Sequence, residues 1–492
     1  MSVSRKHFTH KYIRLFAAAL CAGSLLPGAA IHACASAPSA AELLLQTNRS
    51  LPVQSDEIPG WPAGPVTGAE SAILMEAQTG TILYSKNIHQ REYPASTTKI
   101  LTTLIAAEQC QMDEIVTFSH DAVFDTPWDS SHIAMDVGQE LTMEQCLNAI
   151  LIRSANEVCY AVAEHITGTT NWQVFSDIMN ERAAELGCLN SHFSNPNGLP
   201  ADDHYTTAYD LAMIGRGFFA NEMLCKITLA PRIDFPPTDK LPQGKLENNH
   251  MEIIPGGTYA YEYLVGCKTG YTDDARSCLV SCAEKNGMKL ICVVMKDEAP
   301  YHYRDTISLF EYGFSNFEKV YVSQTETRYN IDNTGLFYSG NDIFGSSQPF
   351  LSLNKDDFII LPRTISFEDV ESSISYETAD ANQAAVITYA YQGLNLGSVR
   401  VDFTVSGDDS SIFDMPSGPE ETSEKEDGPI VFVNVTVIII GCAVLGGALL
   451  IWLIIHIILK NYNISPRSGR RSWRKRNRHR RRRARKHKDY DF

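Results

Sequence analysis

Basic residues are scarce in the central part of this chain of 492 residues. Between residues 38 and 459 there are 23 lysines and arginines against 56 aspartates and glutamates. Because an acidic surface repels phosphate groups, this balance argues against a nucleic-acid partner for the central part. Hydrophobic residues make up 44% of the chain and charged residues 20%, as in a folded protein with room for roughly three domains.

The sequence also lacks any paired Cys-x-x-Cys arrangement, which argues against a structural zinc site. Nine cysteines lie between Cys110 and Cys292, and an odd number cannot all form internal disulfides. Several of them sit within apolar runs, as small buried residues do. The cysteine pattern therefore leaves the disulfide pairing open and offers no metal site.

Long apolar runs are confined to the two ends of the chain. The first run, residues 15–26, follows four basic residues and precedes a stretch of small residues at 33–37. This order predicts a secretory signal peptide over residues 1–37, cleaved after Ala35 or Ala37. The alternative is a lipoprotein signal in which Cys34 is the lipidated residue.

The second apolar run covers residues 431–459 and contains no Asp, Glu, Lys or Arg. At about 1.5 Å per helical residue it is longer than a hydrocarbon core of ~30 Å, so it predicts a transmembrane helix. Residues 460–492 hold 15 basic and two acidic residues, which places this tail in the cytosol and the chain before residue 431 outside. The basic tail is expected to set the membrane topology and to contact anionic lipid. The alternative is that it binds RNA or a cytosolic partner.

Composition divides the rest of the chain into four segments. Residues 38–67 are rich in proline and polar residues and are predicted to be a linker. Residues 320–406 contain short apolar stretches separated by polar turns, which predict a small all-β sandwich domain. Residues 407–430 are acidic, with serine, proline and glycine, and predict a disordered stalk.

The remaining segment, residues 68–319, shows both strand and helix patterns. A hairpin is predicted at 71–84, and helices are predicted at 141–153 and from 156 onward. Strands follow at 264–268, 277–283 and 288–295, before a closing helix at 304–317. The segment therefore predicts an α+β domain in which helices attach to an antiparallel sheet.

The central feature of this domain is Ser96 followed by Lys99 at the start of a predicted helix. Residues three apart share a helix face, so the Ser96 hydroxyl and the Lys99 amine can meet. A serine hydroxyl needs a neighbouring base to act as a nucleophile, and a lysine buried enough to lose its proton can be that base. This spacing alone arises by chance about once or twice in such a chain, and the alternative is a surface pair on an amphipathic helix.

Two later motifs carry complementary groups. Ser154 and Asn156 fall in the break between two predicted helices, where a tight turn can aim a hydroxyl and an amide into one cleft. Lys268, Thr269 and Gly270 end a predicted strand and supply a positive charge, a hydroxyl and a close approach for a substrate backbone. Taken singly, the first motif is equally a helix cap and the second an exposed strand end.

In this order the three motifs match Ser-x-x-Lys, Ser-x-Asn and Lys-Thr-Gly, the catalytic set of penicillin-binding proteins and class A β-lactamases. The chain resembles the low-molecular-mass penicillin-binding proteins that are D-alanyl-D-alanine carboxypeptidases. Further stretches carry this resemblance, at residues 79–84, 186–199, 206–211, 268–272 and 312–314. It covers residues 68–320 and implies the penicillin-binding protein fold, an antiparallel sheet flanked by helices with an all-α subdomain.

The resemblance implies a serine peptidase that removes the terminal D-alanine from peptidoglycan stem peptides ending in D-Ala-D-Ala, with no metal or cofactor. Ser96 would attack the carbonyl of the penultimate D-alanine, and Lys99 would accept its proton. Ser154 would relay a proton to the leaving amine. Asn156 would orient Lys99 and the substrate amide.

The resemblance also assigns the substrate-binding residues. Lys268, aided by Thr269, would hold the terminal carboxylate of the substrate, while Gly270 would admit its backbone. The backbone amides of Ser96 and Tyr271 would form the oxyanion hole. β-Lactam antibiotics would acylate Ser96 in the same way and leave slowly.

The sequence departs from the family pattern at one position and leaves alternative functions open. His302 stands where family members commonly carry an arginine, with Arg304 two residues on, so the contact to the substrate carboxylate stays open. A class A β-lactamase is disfavoured because the stretch 185–190 is one residue too long for its deacylation element. A D,D-endopeptidase shares all three motifs, and a non-enzymatic penicillin-binding sensor is the remaining alternative.

Overall fold

The elements along the chain are a short N-terminal helix, a β-hairpin, a block of helices and two later groups of strands. The computed structural model describes residues 38–327 and 351–403, apart from 236, 238–242, 378–379 and 381. The α-helices are α1 (Ala40–Arg49), α2 (Lys99–Gln109), α3 (His120–Phe124), α4 (Met143–Arg153), α5 (Asn156–Thr167), α6 (Trp172–Glu185), α7 (Ala208–Ala220), α8 (Glu222–Leu229), α9 (Tyr301–Asn316) and α10 (Val322–Thr325). Single 3₁₀ turns lie at Gln54–Glu57, Ala95–Thr98 and Phe367–Asp369.

The strands form one central sheet and several small ones. They are β1 (Ser71–Glu76), β2 (Ile82–Lys86), β3 (Ile115–Thr117), β4 (Glu140–Thr142), β5 (Arg232–Phe235), β6 (Lys245–Asn248), β7 (Leu264–Thr272), β8 (Arg276–Lys285), β9 (Met288–Asp297), β10 (Phe317–Tyr321), β11 (Leu351–Leu353), β12 (Phe358–Pro362), β13 (Glu371–Ser375), β14 (Gln383–Tyr391) and β15 (Leu394–Phe403). The central sheet has the order β2-β1-β9-β8-β7 and is antiparallel throughout. Strand β7 therefore lies at one edge of this sheet.

Both faces of the central sheet are buried. Successive side chains of a strand point to opposite faces, and in β1 Ile73 and Met75 join one core while Ala72 and Leu74 join the other. The first core is filled by helices α2, α4, α5 and α7. The second is filled by α9 together with Trp61 and residues of β12, β14 and β15. The sheet is thus sandwiched between a helical block and a second, mixed layer.

The structure confirms the predicted strands and refines the predicted helices. Strands β7, β8 and β9 cover the three predicted stretches, and the turn between β8 and β9 places Asn286 and Gly287 at positive φ, as a tight hairpin requires. The helix predicted from residue 141 begins instead at Met143, after β4. Thr142 and Gln145 form a reciprocal capping box, which ends the strand and starts the helix.

The predicted linker at residues 38–67 differs from the structure, because helix α1 and a 3₁₀ turn occupy much of it. Ser39 and Glu42 form a capping box at the start of α1. At its other end Asn48 is buried and donates to the carbonyls of Gly68 and Lys296, at 2.9 and 3.1 Å. Lys86 donates a 2.8 Å hydrogen bond back to the carbonyl of Asn48. These buried bonds attach the segment to the domain.

The later strands begin directly after α9, three residues before the predicted boundary at 320. Strand β10 pairs with β12, and a separate sheet has the order β11-β15-β14-β13. The short apolar stretches of the predicted all-β segment, at 358–362, 385–389 and 397–401, lie within β12, β14 and β15. The described residues all belong to one compact unit of the chain.

Several predicted segments lie outside the described residues. These are the signal peptide at 1–37, the stalk at 407–430, the transmembrane helix at 431–459 and the basic tail at 460–492. Among the helices that are described, none combines the length and apolar character needed to cross a bilayer. The nine cysteines of the described part are all free, and most are buried, as their apolar surroundings predict.

Candidate active site

The nucleophile candidate lies on the 3₁₀ turn that leads into α2. In a 3₁₀ helix side chains three residues apart eclipse one another, and here the Lys99 ammonium donates to the Ser96 hydroxyl at 2.9 Å. Ala95 has φ 50°, a conformation that L-residues rarely adopt, so the turn enters the helix from an unusual direction. The predicted meeting of Ser96 and Lys99 is therefore present in the structure.

Lys99 is completely buried and has three hydrogen-bond acceptors. Besides Ser96, it donates to Oδ1 of Asn156 and to the carbonyl of Asn197, both at 2.7 Å. Burial disfavours the charged amine and lowers the pKa of Lys99 to about 8. The neutral Lys99 amine, the form that can accept a proton, is therefore far easier to reach near neutral pH than that of an exposed lysine.

The second motif forms the turn between α4 and α5, where it was predicted. Ser154 ends α4 in the left-handed conformation, with φ 58° and ψ 33°, and Asn156 begins α5. The left-handed residue reverses the chain, so that Ser154 and Asn156 both point into the site. The Ser154 hydroxyl accepts a 3.3 Å hydrogen bond from Lys268, while Asn156 contacts Lys99.

The third motif lies along the edge strand β7. Lys268 is buried, and burial, with a smaller contribution from the charge of Lys99, lowers its pKa to about 7. A Cβ at Gly270 would lie 2.9 Å from the amide nitrogens of both Ser96 and Thr97, so only glycine lets β7 approach the nucleophile this closely. Tyr271, the next residue, exposes 56% of its surface. The structure thus brings the three predicted motifs together, with Tyr271 next to Gly270 along β7.

Two residues of the site were not assigned a role from the sequence. Asn197 contacts Lys99 through its backbone carbonyl, which no side-chain pattern reveals. His250 bridges two motifs: its Nδ1 lies 2.8 Å from the carbonyl of Ile152 and its Nε2 lies 3.1 Å from the Thr269 hydroxyl. A carbonyl only accepts, so Nδ1 carries a hydrogen and the neutral ring accepts at Nε2 from Thr269.

His302, at the position where family members commonly carry an arginine, lies on α9. This helix packs against the second core. His302 is 7% exposed, its ring contacts Tyr303, and its Nδ1 has no hydrogen-bond partner among the described residues. Arg304 stacks over the rings of Tyr259 and Tyr301, at 5.7 and 5.5 Å. No contact joins either side chain to a motif residue within the described part of the chain.

One cluster in the described residues has the donor types of a metal site. The donor atoms of Cys110, Glu114 and His165 lie within 4.8 Å of one another. His165 and Glu114 are already joined by a 2.7 Å hydrogen bond. His165 lies nine residues along α5 from Asn156, about 14 Å away at the rise of a helix, so the cluster is separate from the site.

Known proteins are similar in sequence to the part of the chain that carries these motifs. A family model described as D-alanyl-D-alanine carboxypeptidase matches residues 61–299. The D-alanyl-D-alanine carboxypeptidase DacF of Bacillus subtilis is 34% identical over 259 residues, which are 51% of this chain and 63% of that protein. The D-alanyl-D-alanine carboxypeptidase DacB2 of Mycobacterium tuberculosis is 30% identical over 260 residues, which are 52% of this chain and 84% of that protein.

Solved structures share the fold. Penicillin binding protein 5 from Haemophilus influenzae matches with a TM-score of 0.54 and 25% identity. The match covers 70% of this chain and 98% of that one. The similarity in fold is therefore longer than the stretch matched by the family model.

Proposed function

The chain belongs to the D-alanyl-D-alanine carboxypeptidase family and is a serine peptidase, and from this premise we propose how its site removes the terminal D-alanine of peptidoglycan stem peptides. The observation that carries the proposal is the buried Lys99 amine at 2.9 Å from the Ser96 hydroxyl. A lysine whose pKa is lowered to about 8 is a general base close to its optimum near neutral pH. No other described serine is needed as a nucleophile.

In the first step Ser96 attacks the carbonyl carbon of the penultimate D-alanine, and Lys99 takes the hydroxyl proton. The hydrogen bonds from Lys99 to Asn156 and Asn197 fix the amine in line with Ser96. The negative oxygen that forms is stabilised by the amides of Ser96 and Tyr271, which the approach of Gly270 brings together. Removing one such donor typically costs ~10²–10³ in rate.

In the second step the bond to the terminal D-alanine breaks. Ser154 donates a proton to the departing amine and is resupplied, through Lys268 at 3.3 Å, with the proton that Lys99 took from Ser96, so that Lys99 is neutral again and Lys268 stays charged. A charged Lys268 also holds the terminal carboxylate of the substrate, with Thr269 beside it. Water then hydrolyses the acyl-enzyme, and Lys99 again acts as the base. A β-lactam forms the same ester with Ser96.

We further propose that the enzyme is a single-pass protein of the cell membrane. The support is the sequence pattern: an apolar signal at 1–37, an uncharged run at 431–459 and a basic tail at 460–492. In this arrangement the catalytic domain faces outward, and residues 320–406 form an all-β domain between it and the acidic stalk. Protease added to intact cells removes the catalytic domain if this is correct and leaves it intact if the domain is cytosolic.

The test of the activity is D-alanine release from a muramyl pentapeptide ending in D-Ala-D-Ala, with the full chain purified in mild detergent. Wild type and the control Ser50→Ala, an exposed serine at the end of α1, release D-alanine, whereas Ser96→Ala does not. Penicillin labelling of Ser96 without any release would indicate an endopeptidase or a sensor instead. Neither release nor labelling would show that the nucleophile is assigned wrongly.

A further inference from the structure

A cavity of about 460 Å³ adjoins the active site. Arg91, Glu92 and Tyr93 form one wall, directly before the segment that carries Ser96. Asp274, two residues beyond the end of β7, forms another. Cavities of this size hold small ligands or ligand side chains.

A third wall continues the loop that holds Lys99. Asp202 and Tyr205 lie shortly after Asn197, whose carbonyl accepts from Lys99. Three of the segments that build the active site, those of Ser96, Asn197 and β7, therefore continue into the cavity walls, whereas the Ser154–Asn156 turn does not. This continuity makes the cavity an extension of the substrate cleft rather than a separate pocket.

The cavity carries unpaired charges of both signs. The Arg91 guanidinium stacks over the Tyr205 ring at 4.5 Å, and no carboxylate of the described residues lies within ion-pair distance of it. In the same part of the chain neither Asp202 nor Asp274 forms an ion pair. Lys296, also in the wall, is already neutralised by Glu70 at 2.8 Å. The charges left for a ligand are one guanidinium and two carboxylates.

Glu92 adds a buried carboxyl group to the same wall. It is 7% exposed, and its Oε1 accepts from the Ser71 hydroxyl. Its Oε2 is buried and has no hydrogen-bond partner among the described residues. Buried carboxylate oxygens are nearly always satisfied in native proteins, so the carboxyl group of Glu92 favours a cationic group in the cavity beside it.

The direction in which the substrate would bind also leads to this cavity, and this step rests on the proposed function. An extended peptide can add to the free edge of β7, and its carboxylate end is held at Lys268. Its earlier residues then run toward the end of β7 that leads to Asp274. The third stem residue precedes the penultimate D-alanine, and its four-carbon side chain reaches roughly 5–6 Å from the peptide backbone, toward the turn after β7 that holds Asp274.

We propose that the cavity of Arg91, Glu92, Asp202 and Asp274 binds the side-chain end of the third stem residue. It selects a side chain with an ammonium and a carboxylate on one carbon, as in diaminopimelate, over lysine. Asp274 and Asp202 contact the ammonium, with Glu92 behind them. Arg91 binds the carboxylate through its planar fork, a pairing that gives both energy and orientation.

The test uses three pentapeptides that differ only at the third residue: meso-diaminopimelate, lysine and Nε-acetyl-lysine. The full chain in mild detergent is assayed for kcat/KM of D-alanine release. We expect a loss of about tenfold when the carboxylate is absent and a further loss when the ammonium is acetylated, as for charge-assisted hydrogen bonds. Equal kcat/KM for the three peptides, or a preference for lysine, would overturn the inference and leave the carboxypeptidase assignment intact.

Two variants test the recognition of the carboxylate and the recognition of the ammonium group separately. Arg91→Gln lowers the ratio of kcat/KM for diaminopimelate over lysine by about tenfold, and Asp274→Asn lowers the ratio for lysine over acetyl-lysine. The control Arg363→Gln replaces an exposed arginine that pairs with Glu318 in the later strands, and it leaves both ratios unchanged. Ratios unchanged in Arg91→Gln and Asp274→Asn would overturn the inference. No release from any peptide would overturn the proposed function and, with it, this inference.

Discussion

Gly198 lies so close to Ala95 that a Cβ at position 198 would come within 1.8 Å of the Ala95 carbonyl oxygen. Both residues have positive φ, 85° and 50°. Ala95 precedes the nucleophile Ser96, and Gly198 follows Asn197, whose carbonyl accepts from Lys99 at 2.7 Å. One backbone contact therefore sets the positions of both the nucleophile and its base.

We predict that Gly198→Ala abolishes most of the activity while the domain stays folded. The methyl group must push the Ala95 carbonyl away, and a displacement of about 1 Å at the reacting groups can cost 10²-fold in rate. The measurement is the rate constant for acylation by a fluorescent penicillin, which we expect to fall about 10²-fold or more. Circular dichroism of the same sample reports the fold.

The matched control is Gly168→Ala at the end of α5. Gly168 has φ 68°, and a Cβ there would meet nothing within 4 Å. This variant carries the same left-handed strain, about 1–2 kcal/mol, without the steric contact. It should lower the free energy of unfolding and leave acylation unchanged. Wild-type acylation by Gly198→Ala would show that the contact does not position Ser96.

The local part of the site could be predicted, and the long-range part could not. Ser96 and Lys99 meet because one helical turn joins them, and the left-handed Ser154 follows from a break between two helical patterns. The contact of Gly270 with the Ser96 amide joins residues far apart in sequence. It needs the order of the sheet, which residue spacing does not contain. The family resemblance supplied this information instead.

The linker prediction failed for a related reason. Proline and polar residues at 38–67 suggested an open chain, yet the Ser39–Glu42 capping box was present in the sequence as a helix start. Buried Asn48 looks like any polar residue in sequence, since its partners at Gly68 and Lys296 come from distant parts of the chain. A capping signal deserves more weight than composition in such a segment.

We predict a bell-shaped pH profile for kcat/KM. The pKa of Lys99 is lowered to about 8 and that of Lys268 to about 7, in both cases chiefly by burial. The mechanism needs one proton on this pair, because the base must be neutral and the carboxylate-binding lysine charged. Activity should rise as pH approaches about 7 and fall above about 8, measured on the pentapeptide in a constant-ionic-strength buffer series.

The variant Lys268→Arg separates the two limbs of the profile. A guanidinium stays charged at all accessible pH values, so loss of charge at position 268 can no longer cause the alkaline limb. We expect a lower kcat/KM that reaches a plateau at high pH. An alkaline limb that survives in this variant would assign the limb to another group.

Asn156→Asp should lower kcat/KM near neutral pH and approach the wild type at high pH. Oδ1 of Asn156 accepts from Lys99 at 2.7 Å, and a carboxylate in its place would favour the charged amine and raise the pKa of Lys99. We expect kcat/KM at pH 7 to fall about tenfold or more, because each unit by which the pKa of Lys99 rises lowers the neutral fraction of its amine about tenfold. The ratio of variant to wild-type kcat/KM should recover as the pH is raised. The control Asn148→Asp, whose amide bonds to the Glu144 carbonyl of its own helix, should keep the wild-type profile.

Recovery at high pH is the decisive readout for Asn156→Asp. A variant that merely disorders the turn after Ser154 would be inactive at every pH. A variant that traps the proton on Lys99 approaches the kcat/KM of the wild type at the same pH once that proton is lost. A uniform loss across the pH range would therefore contradict the assignment of Lys99 as the base.

The last prediction concerns stability and a buried pair of carboxyl groups. Asp297, at the end of β9, is fully buried, and burial together with neighbouring Asp305 raises its pKa. In the unfolded chain an aspartate loses its proton near pH 3.9, whereas the folded protein keeps it to higher pH. Folding therefore takes up a proton in this range. Rising pH must destabilise the fold through this group, by up to about 1.4 kcal/mol per pH unit.

Asp297→Asn removes that titration and keeps an oxygen to accept the 2.7 Å hydrogen bond from the Glu298 amide. Other groups also titrate, and buried His204, with its pKa lowered to about 3, acts in the opposite direction below pH 6. The comparison of the two proteins cancels these groups. Urea denaturation at pH 5, 6 and 7 should show wild type losing stability relative to Asp297→Asn as the pH rises. Parallel curves would mean that Asp297 is already ionised in the folded protein, and Lys86, whose ammonium bonds to the Thr67 carbonyl nearby, would then be its counter-charge.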